Sequence, residues 1–235
     1  MASIINAIST GAGGLVSSGD ASGQLQLQTN STAALTIDGS QNATFAGSVT
    51  APSFVGVSSF TNMQVFTSPG TFTTPSSTTK IKVTVVGGGG AGGAGTVAGG
   101  GGGGGTAIYI GPVSASTGYP ITVGSGGTFI PASPGPSGNT SSFGVLASAT
   151  GGSGGSRIPA TSGSTSGGNG GAGSAGTLQF TGSAGGNSFG YAPTGAIVGV
   201  GGNSFLGGGG SGNYGGGGSG NSGSNGAGGV VVVEY

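Results

Sequence analysis

The residues that could perform acid–base or nucleophilic chemistry are few in this chain of 235 residues. The acids are Asp20, Asp38 and Glu234, and the chain contains neither histidine nor cysteine. Catalysis by serine needs a base within hydrogen-bond reach, yet no base adjoins any of the many serines. A carboxylate pair assembled by folding or by oligomer symmetry is left open. The sequence therefore predicts a protein that binds or builds, without catalytic residues, metal site or cofactor.

The charge and hydropathy of the chain argue against several further classes of protein, those that bind nucleic acid or insert into membranes among them. Lys80, Lys82 and Arg157 balance the three acids, so the formal net charge is zero. Nucleic-acid binding needs a basic patch, and an electrostatic membrane anchor needs basic clusters as well. No stretch approaches the roughly 20 apolar residues of a membrane span. The start, MASIINAISTGAGG, lacks the positive region of a secretory signal peptide. We expect no nucleic-acid partner, no membrane insertion and no signal peptide.

Aromatic rings in irregular loops are the candidate ligand contacts. Rigid amphipathic rings among Ser, Gly and Asn are the composition of antibody contact loops. The rings are Tyr191, Tyr214, Phe180 and Phe129. Packing within the protein is the alternative interpretation for each. Arg157 stands in another loop, where it could bind an anionic sugar or phosphate or be a solvated surface residue.

One small frame recurs around three phenylalanines: Ser-Ser-Phe-Gly, Asn-Ser-Phe-Gly and Asn-Ser-Phe-Leu. The phenylalanines are Phe143, Phe189 and Phe205. A repeated ring could stack on sugars, or it could be a repeated plug in the core beside a glycine turn. We favour the core plug, because a chain this poor in large side chains needs its rings inside.

The elements that position these residues are organised around residues 80–105, KIKVTVVGGGGAGGAGTVAGGGGGGG. Ile81, Val83 and Val85 alternate with polar residues as in a strand, and the strand then runs directly into glycine. The chain has 64 glycines, and ordering each backbone costs roughly 1–2 kcal/mol, with Gly at the costly end. Backbone hydrogen bonds and close backbone packing must therefore offset that cost.

The glycine-rich part lacks the Gly-X-Y register of collagen. It predicts a β-sandwich edged or layered by extended, polyproline-II-like glycine segments that hydrogen-bond laterally. The last strand, 230–235, is expected to pair with the strand Lys80–Val86. Glu234 would then face the same side as Lys80 and Lys82, forming a cross-strand pair worth roughly 0.2–1 kcal/mol.

The first 60 residues have a different character. Ile4, Ile5 and Ile8 have helical spacing, so we predict a short helix or hook within residues 1–22. This segment either docks on another protein or packs on its own oligomer. Residues 23–60 contain short alternating strands that are too short to bury a core alone. Oligomerisation is the simplest source of partners.

Two phrases carry a family resemblance. LQLQTNSTAALTIDGSQNATFAGSVTAPSFVG resembles the stalk segments of bacteriophage tail fibres, which are homotrimers of intertwined chains. FTSPGTFTTPSSTTKIKVTVVGGGGAGG, followed by YPITVGSGG and GAGGVVVVEY, resembles a glycine-rich domain at the distal end of many phage tail proteins. The resemblance implies an all-β homotrimer with an attachment segment (1–22), an intertwined β stalk (23–60) and a distal glycine-rich domain (61–235).

By this resemblance the protein is a virion protein, made in the host cytoplasm. It would join other tail or baseplate proteins through its N-terminal segment. It would bind host cell-surface polysaccharide or an outer-membrane protein, and thereby attach the virion to its host. Two alternatives stay open. One is a structural tail component without receptor binding. The other is an ice-binding protein, against which the lack of a regular three-residue repeat and of disulfides argues.

Overall fold

A computed structural model of the chain describes residues 23–49, 60–159, 162–191, 195–210, 214–220 and 223–235. All regular secondary structure in these ranges is β-strand, which confirms the all-β class. The chain divides between Val57 and Ser58 into two compact units. The predicted attachment segment, 1–22, lies outside the described residues, as does its predicted helix.

The strands of the described residues are short, and most are joined by turns or glycine segments. In chain order they are β1 (Leu25–Thr29), β2 (Thr32–Ile37), β3 (Ala43–Phe45), β4 (Met63–Phe66), β5 (Gly70–Thr73), β6 (Lys80–Val86), β7 (Val97–Ala98), β8 (Thr106–Pro112), β9 (Gly118–Thr122), β10 (Ser141–Phe143), β11 (Ala147–Ala149), β12 (Arg157–Ile158), β13 (Gly163–Thr165), β14 (Gly173–Ser174), β15 (Leu178–Phe180), β16 (Ser188–Tyr191), β17 (Gly195–Ile197) and β18 (Val230–Glu234).

The first unit contains one antiparallel sheet in the order β1–β2–β3. Its register aligns Leu27 with Leu35 and Leu35 with Phe45, so these apolar residues share one face. That face stays uncovered: Leu25 is 57% and Phe45 50% exposed. A single sheet of three short strands cannot bury an apolar face by itself.

The turn between β2 and β3 is built on a carboxylate. The Oδ1 of Asp38 accepts the backbone N–H groups of Ser40 and Asn42, both at 2.9 Å, and its Oδ2 accepts the Asn42 amide at 3.0 Å. These hydrogen bonds, the Asn42 side chain first among them, lower the pKa of Asp38. The acid therefore serves as a turn residue.

The second unit begins as a β-sandwich of two five-stranded antiparallel sheets. One has the order β15–β8–β6–β18–β4, and the other β14–β11–β10–β9–β5. Alternate residues of the strands meet in a core that includes Phe72, Ile81, Val83, Phe143 and Val231, each at most 2% exposed. The predicted pairing of the last strand with β6 is present, with Glu234 opposite Lys82.

Beyond the sandwich, the chain forms glycine segments whose hydrogen bonds repeat every third residue. In segment 87–94, the N–H groups of residues 87, 90 and 93 donate to segment 99–105, those of 88, 91 and 94 to segment 133–139, and those of 89 and 92 to segment 224–229. A return to the same neighbour after three residues is the period of a polyproline-II helix. The lateral hydrogen bonding predicted from the sequence is thus observed.

The segments of this kind form a bundle. Those in the described residues are 87–94, 99–105, 124–127, 133–139, 150–156, 166–172, 182–186, 199–203, 215–220 and 224–229. Segment 99–105 donates hydrogen bonds to three of them and accepts from three others. Segment 87–94 is surrounded in the same way, and both segments are buried. These two segments are the centre of the bundle.

Glycine is required at the centre because the neighbouring backbones occupy the place of a side chain. A Cβ on Gly101 would overlap the carbonyl of Gly90, and one on Gly104 would overlap the carbonyl of Gly87. The missing side chains therefore allow the hydrogen bonds between segments to form.

The bundle has two ends, which decide where loops lie. Segment 87–94 continues β6, and segment 99–105 runs back into β8, so their connection is remote from the sandwich. We call this side the far end and the sandwich side the near end. The described residues of the far-end connections are 95–98, 128–132, 157–159, 162–165, 187–191, 195–198 and 223. The described residues of the near-end connection between segments 199–203 and 215–220 are 204–210 and 214.

Candidate functional site

A small sheet at the far end presents an exposed apolar surface. It has the order β13–β16–β17. In β16 the small residues Ser188 and Gly190 are buried, whereas Phe189 is 41% and Tyr191 59% exposed. Ile197 is aligned with Phe189 and is 58% exposed. We call the surface formed by Phe189, Tyr191 and Ile197 the far-end face.

Small polar residues fix this sheet. The hydroxyl of Ser188 donates to the carbonyl of Ile197 at 2.7 Å, and the Oδ1 of Asn187 accepts the Gly167 N–H at 3.1 Å. Asn187 thereby links the sheet to bundle segment 166–172. The large residues of β16 are left outside, on a sheet that pairs with β13 and β17 and is hydrogen-bonded to the bundle.

Arg157 lies near the same end and contacts the protein itself. It pairs with Ala98 across β7 and β12, and its Nη1 donates to the Ala132 carbonyl at 2.7 Å. Its aliphatic stem lies over Gly95. The arginine thus holds the connection 128–132 against a neighbouring one. An anionic ligand for its half-buried guanidinium stays a prediction.

Phe129 belongs to the far end as well, where it packs against the chain. Its N–H donates to the Oδ1 of Asn225 at 2.6 Å. Its half-buried ring lies against Gly223, where an added Cβ would overlap it. A role in contacting a ligand stays a prediction for this ring, which already makes a structural contact.

The other two candidate rings lie at the near end. Phe180, in edge strand β15, stacks on Phe205 with ring centroids 5.4 Å apart and an angle of 17°. The hydroxyl of Ser204 donates to the carbonyl of Tyr214. The five candidates therefore form no single site: three belong to the far end and two to the near end.

The repeated Ser-Phe frame has one buried ring and two exposed ones. Phe143 is fully buried and stacks on Tyr119 at 5.1 Å, as a core plug should. Phe189 is 41% and Phe205 55% exposed, so the core-plug interpretation is wrong for these two. The alternation of small and large residues in Ser188-Phe189-Gly190-Tyr191 could have predicted the exposure of Phe189, because a strand that lies on a glycine bundle turns its small residues inward.

The described residues include no group of three or more side chains suited to hold a metal ion. Nor does this part of the chain contain a helix long and apolar enough to cross a membrane.

The architecture is that of a β-sandwich whose strands continue into a bundle of polyglycine helices. The sequence profile of the glycine-rich domain family matches residues 67–235, from the turn after β4 to Tyr235, which follows β18. The chain therefore belongs to the glycine-rich domain family. No curated protein matches the chain.

Proposed function

We propose that this protein is a phage tail-fibre subunit that attaches the virion to its host through the far-end face. The carrying observation is that Phe189, Tyr191 and Ile197 are 41%, 59% and 58% exposed on a sheet that is hydrogen-bonded to the glycine bundle through Asn187. Rigid exposed rings lose little conformational entropy when they bind. Clustered apolar side chains on a surface mark sites where partners bind, which supports a partner for this face.

The proposed receptor is neutral at its contact point. Among the described far-end residues, Arg157 alone is charged, and it is engaged with the Ala132 carbonyl. Host cell-surface polysaccharide fits such a surface through ring stacking, and an apolar patch of an outer-membrane protein fits it through burial.

The first unit supports the oligomeric part of the proposal. Its uncovered face, with Leu25, Leu27 and Phe45 each at least 42% exposed, requires another layer of protein. Three copies of the chain, sharing a core in the stalk, supply that layer. Three far-end faces on one fibre would also raise avidity, so weak single sites would suffice. The segment 1–22 would join the fibre to other tail or baseplate proteins.

Binding of fluorescently labelled protein to a panel of bacterial cells tests the proposal. We expect selective binding to some strains, by a species of three times the 21.2 kDa chain mass. The double variant Phe189→Ala/Tyr191→Ala should lose at least tenfold in binding. Val145→Ala, which changes a residue 92% exposed in the sandwich, is the matched control. Equal loss in both variants, or none in either, would contradict the assignment of the face.

One observation favours a second candidate function, ice binding. Thr150, Ser153 and Ser156 follow each other at three-residue spacing, and so do Ser166 and Asn169 in the adjacent segment. Local three-residue repeats are therefore present, contrary to the sequence-based expectation. They form a row of small polar groups about 9.3 Å apart, three residues of polyproline-II rise. A thermal-hysteresis assay separates the two candidates, since an adhesin should show no hysteresis.

A further inference from the structure

The last strand of the chain lies inside its sheet, between two strands that come much earlier in the sequence. In the order β15–β8–β6–β18–β4, strand β18 pairs with β6 on one side and with β4 on the other. Strand β4 is the first strand after the boundary between the two units. Among the described strands it pairs with β18 alone. The start of the second unit is therefore joined to this sheet through β18.

These strands run along the axis that joins the sandwich to the bundle. Strand β6 continues directly into the glycine bundle, and β18 begins directly where a bundle segment ends. Glu234 is therefore at the side of the sandwich that is remote from the bundle, which we call the base. Because β4 is antiparallel to β18, it begins at the base with Met63, opposite Glu234. It ends on the bundle side with Phe66, opposite Val231.

The register identifies which residues of the two strands are hydrogen-bonded to each other. Tyr235 and Asn62 exchange both backbone hydrogen bonds, each at 2.9 Å, and the N–H of Thr61 also donates to the Tyr235 carbonyl at 3.2 Å. In an antiparallel ladder, bonded pairs of this kind alternate with pairs that are not bonded. We call the bonded pairs the β4–β18 clamp. They are Asn62–Tyr235, Gln64–Val233 and Phe66–Val231.

Tension along this axis loads all the bonds of the clamp together. A pull on the chain at Thr61, directed away from the bundle, moves β4 towards the base, while the bundle holds β18 in the opposite direction. The two strands must then slide past each other. Their hydrogen bonds lie across the strands, so the bonds resist sliding in parallel. If the same strands were instead pulled apart at the base, their bonds would break one pair at a time.

The clamp is also where the second unit should yield first. Within the described part of the chain, β4 is bonded on one side only, whereas each inner strand of the sheet is bonded on two. In the bundle, segment 166–172 is hydrogen-bonded to three neighbours, 99–105, 150–156 and 182–186. The strength of the path from β4 to the far end is therefore set by the three pairs of the clamp.

We propose that the β4–β18 clamp has a mechanical function, which is to carry tension from the first unit to the glycine bundle. Strand β18 is suited to this because it is continuous with the bundle and bonded to the strand that follows the first unit. A fibre that holds a virion on a cell is pulled at both ends, so the need for a clamp rests on the proposed attachment function. The strength of the clamp is a property of the fold itself.

Single-molecule pulling in two directions tests the clamp, since forced unfolding measures the barrier to rupture. The natural chain contains no cysteine, so Thr61→Cys provides one handle in the full-length chain. For sliding, the second handle is Ser164→Cys, at an exposed residue of the far-end strand β13. For opening from the base, the second handle is a peptide tag that follows Tyr235.

The two directions load the same three pairs differently, so each serves as the control for the other. We expect the second unit to yield at a force at least about twofold higher in the sliding direction, because the pairs then resist together. Equal forces in the two directions, or a lower force for sliding, would overturn the proposal.

Two proline variants test whether the bonds of the clamp set this force. Gln64→Pro removes an N–H that points to β18, whereas Met63→Pro removes one that points to the open edge of the sheet. Both side chains are exposed, so neither substitution removes a buried group. We expect Gln64→Pro to lower the sliding force by about one third, the share of one pair in three, and Met63→Pro to leave it unchanged. Equal forces for the two variants would overturn the proposal.

The clamp and the attachment function fail separately, because the pulling experiment involves no cells. Equal forces in the two directions would overturn the clamp and leave selective binding to cells intact. A force that depends on direction, in a protein that binds no cells, would do the reverse. Circular dichroism checks that Gln64→Pro is folded. If it is not, the two directions compared without a proline substitution still decide the question.

Discussion

The sandwich and the glycine bundle of the second unit are two solutions to the same packing problem. The sandwich excludes water with side chains such as Phe72, Phe143 and Val83, which fill the space between two sheets. The bundle excludes water almost entirely with backbone, by surrounding segments 87–94 and 99–105 with hydrogen-bonded neighbours. Both interiors are buried, but the first is held by apolar area and the second by backbone hydrogen bonds and close contact.

The difference predicts opposite responses to added and removed atoms. A side-chain core tolerates a swap of similar volume and suffers when atoms are removed. A backbone core has few side-chain atoms to remove, here the methyl groups of Ala91 and Ala94, and no room for an added one at its inner glycines. The inner glycines of the bundle should therefore be the least replaceable residues of the domain.

The largest effect is expected from Gly101→Ala. The added methyl group would overlap the carbonyl of Gly90, and separation of segment 99–105 from segment 87–94 would break the three hydrogen bonds between them, among them the one from the Gly90 N–H to the Gly102 carbonyl. Each lost bond that leaves a buried group unpaired costs about 1–3 kcal/mol, so we expect a loss above about 5 kcal/mol. Thermal unfolding followed by circular dichroism measures it.

Gly208→Ala is the matched control for that substitution. Gly208 is exposed, its φ is not in the left-handed region, and no atom lies within 4 Å of an added Cβ. Reduced freedom of the unfolded chain should leave stability unchanged or raise it by about 0.4–1 kcal/mol. If Gly101→Ala changed the stability no more than Gly208→Ala does, the bundle core would have room for an added methyl group. The proposed difference between the two cores would then be wrong.

A smaller loss is expected from Phe143→Ala in the sandwich. Removal of a fully buried ring that stacks on Tyr119 should cost about 3–5 kcal/mol. Phe189→Ala, in the same Ser-Phe-Gly frame but 41% exposed, should cost less than about 1 kcal/mol. Urea unfolding of both variants checks the difference. Equal losses would mean that Phe189 packs as a core residue after all.

The sandwich was the more predictable region. Alternation in β6, together with the run Val230–Glu234, was enough to predict that these strands pair and that Glu234 faces the same side as Lys80 and Lys82, because side chains specify the face of a strand. The polyproline-II character of the glycine segments also followed, from composition and the cost of ordering glycine. The strand pairing, the facing of Glu234 and the polyproline-II geometry each follow from the residue types of the segments concerned.

The arrangement of the bundle could not be predicted, for a physical reason. Glycine segments carry no side chains that distinguish one neighbour from another, so the sequence of 99–105 does not encode contact with 182–186 in particular. Their neighbours follow from where the flanking strands begin and end. Phe189 and Phe205 were misassigned for a related reason, since an identical local frame can face a side-chain core or lie outside a backbone core.

The smallest effect is expected from the ion pair of the sandwich. Lys82→Met should cost less than about 1 kcal/mol, because both side chains are about one-third exposed and water screens their attraction. Lys80→Met is the control, since Lys80 forms no ion pair with any described residue. A double-mutant cycle with Glu234→Gln isolates the coupling. A coupling above about 1 kcal/mol would mean that water screens the pair less than the exposure of its two side chains indicates.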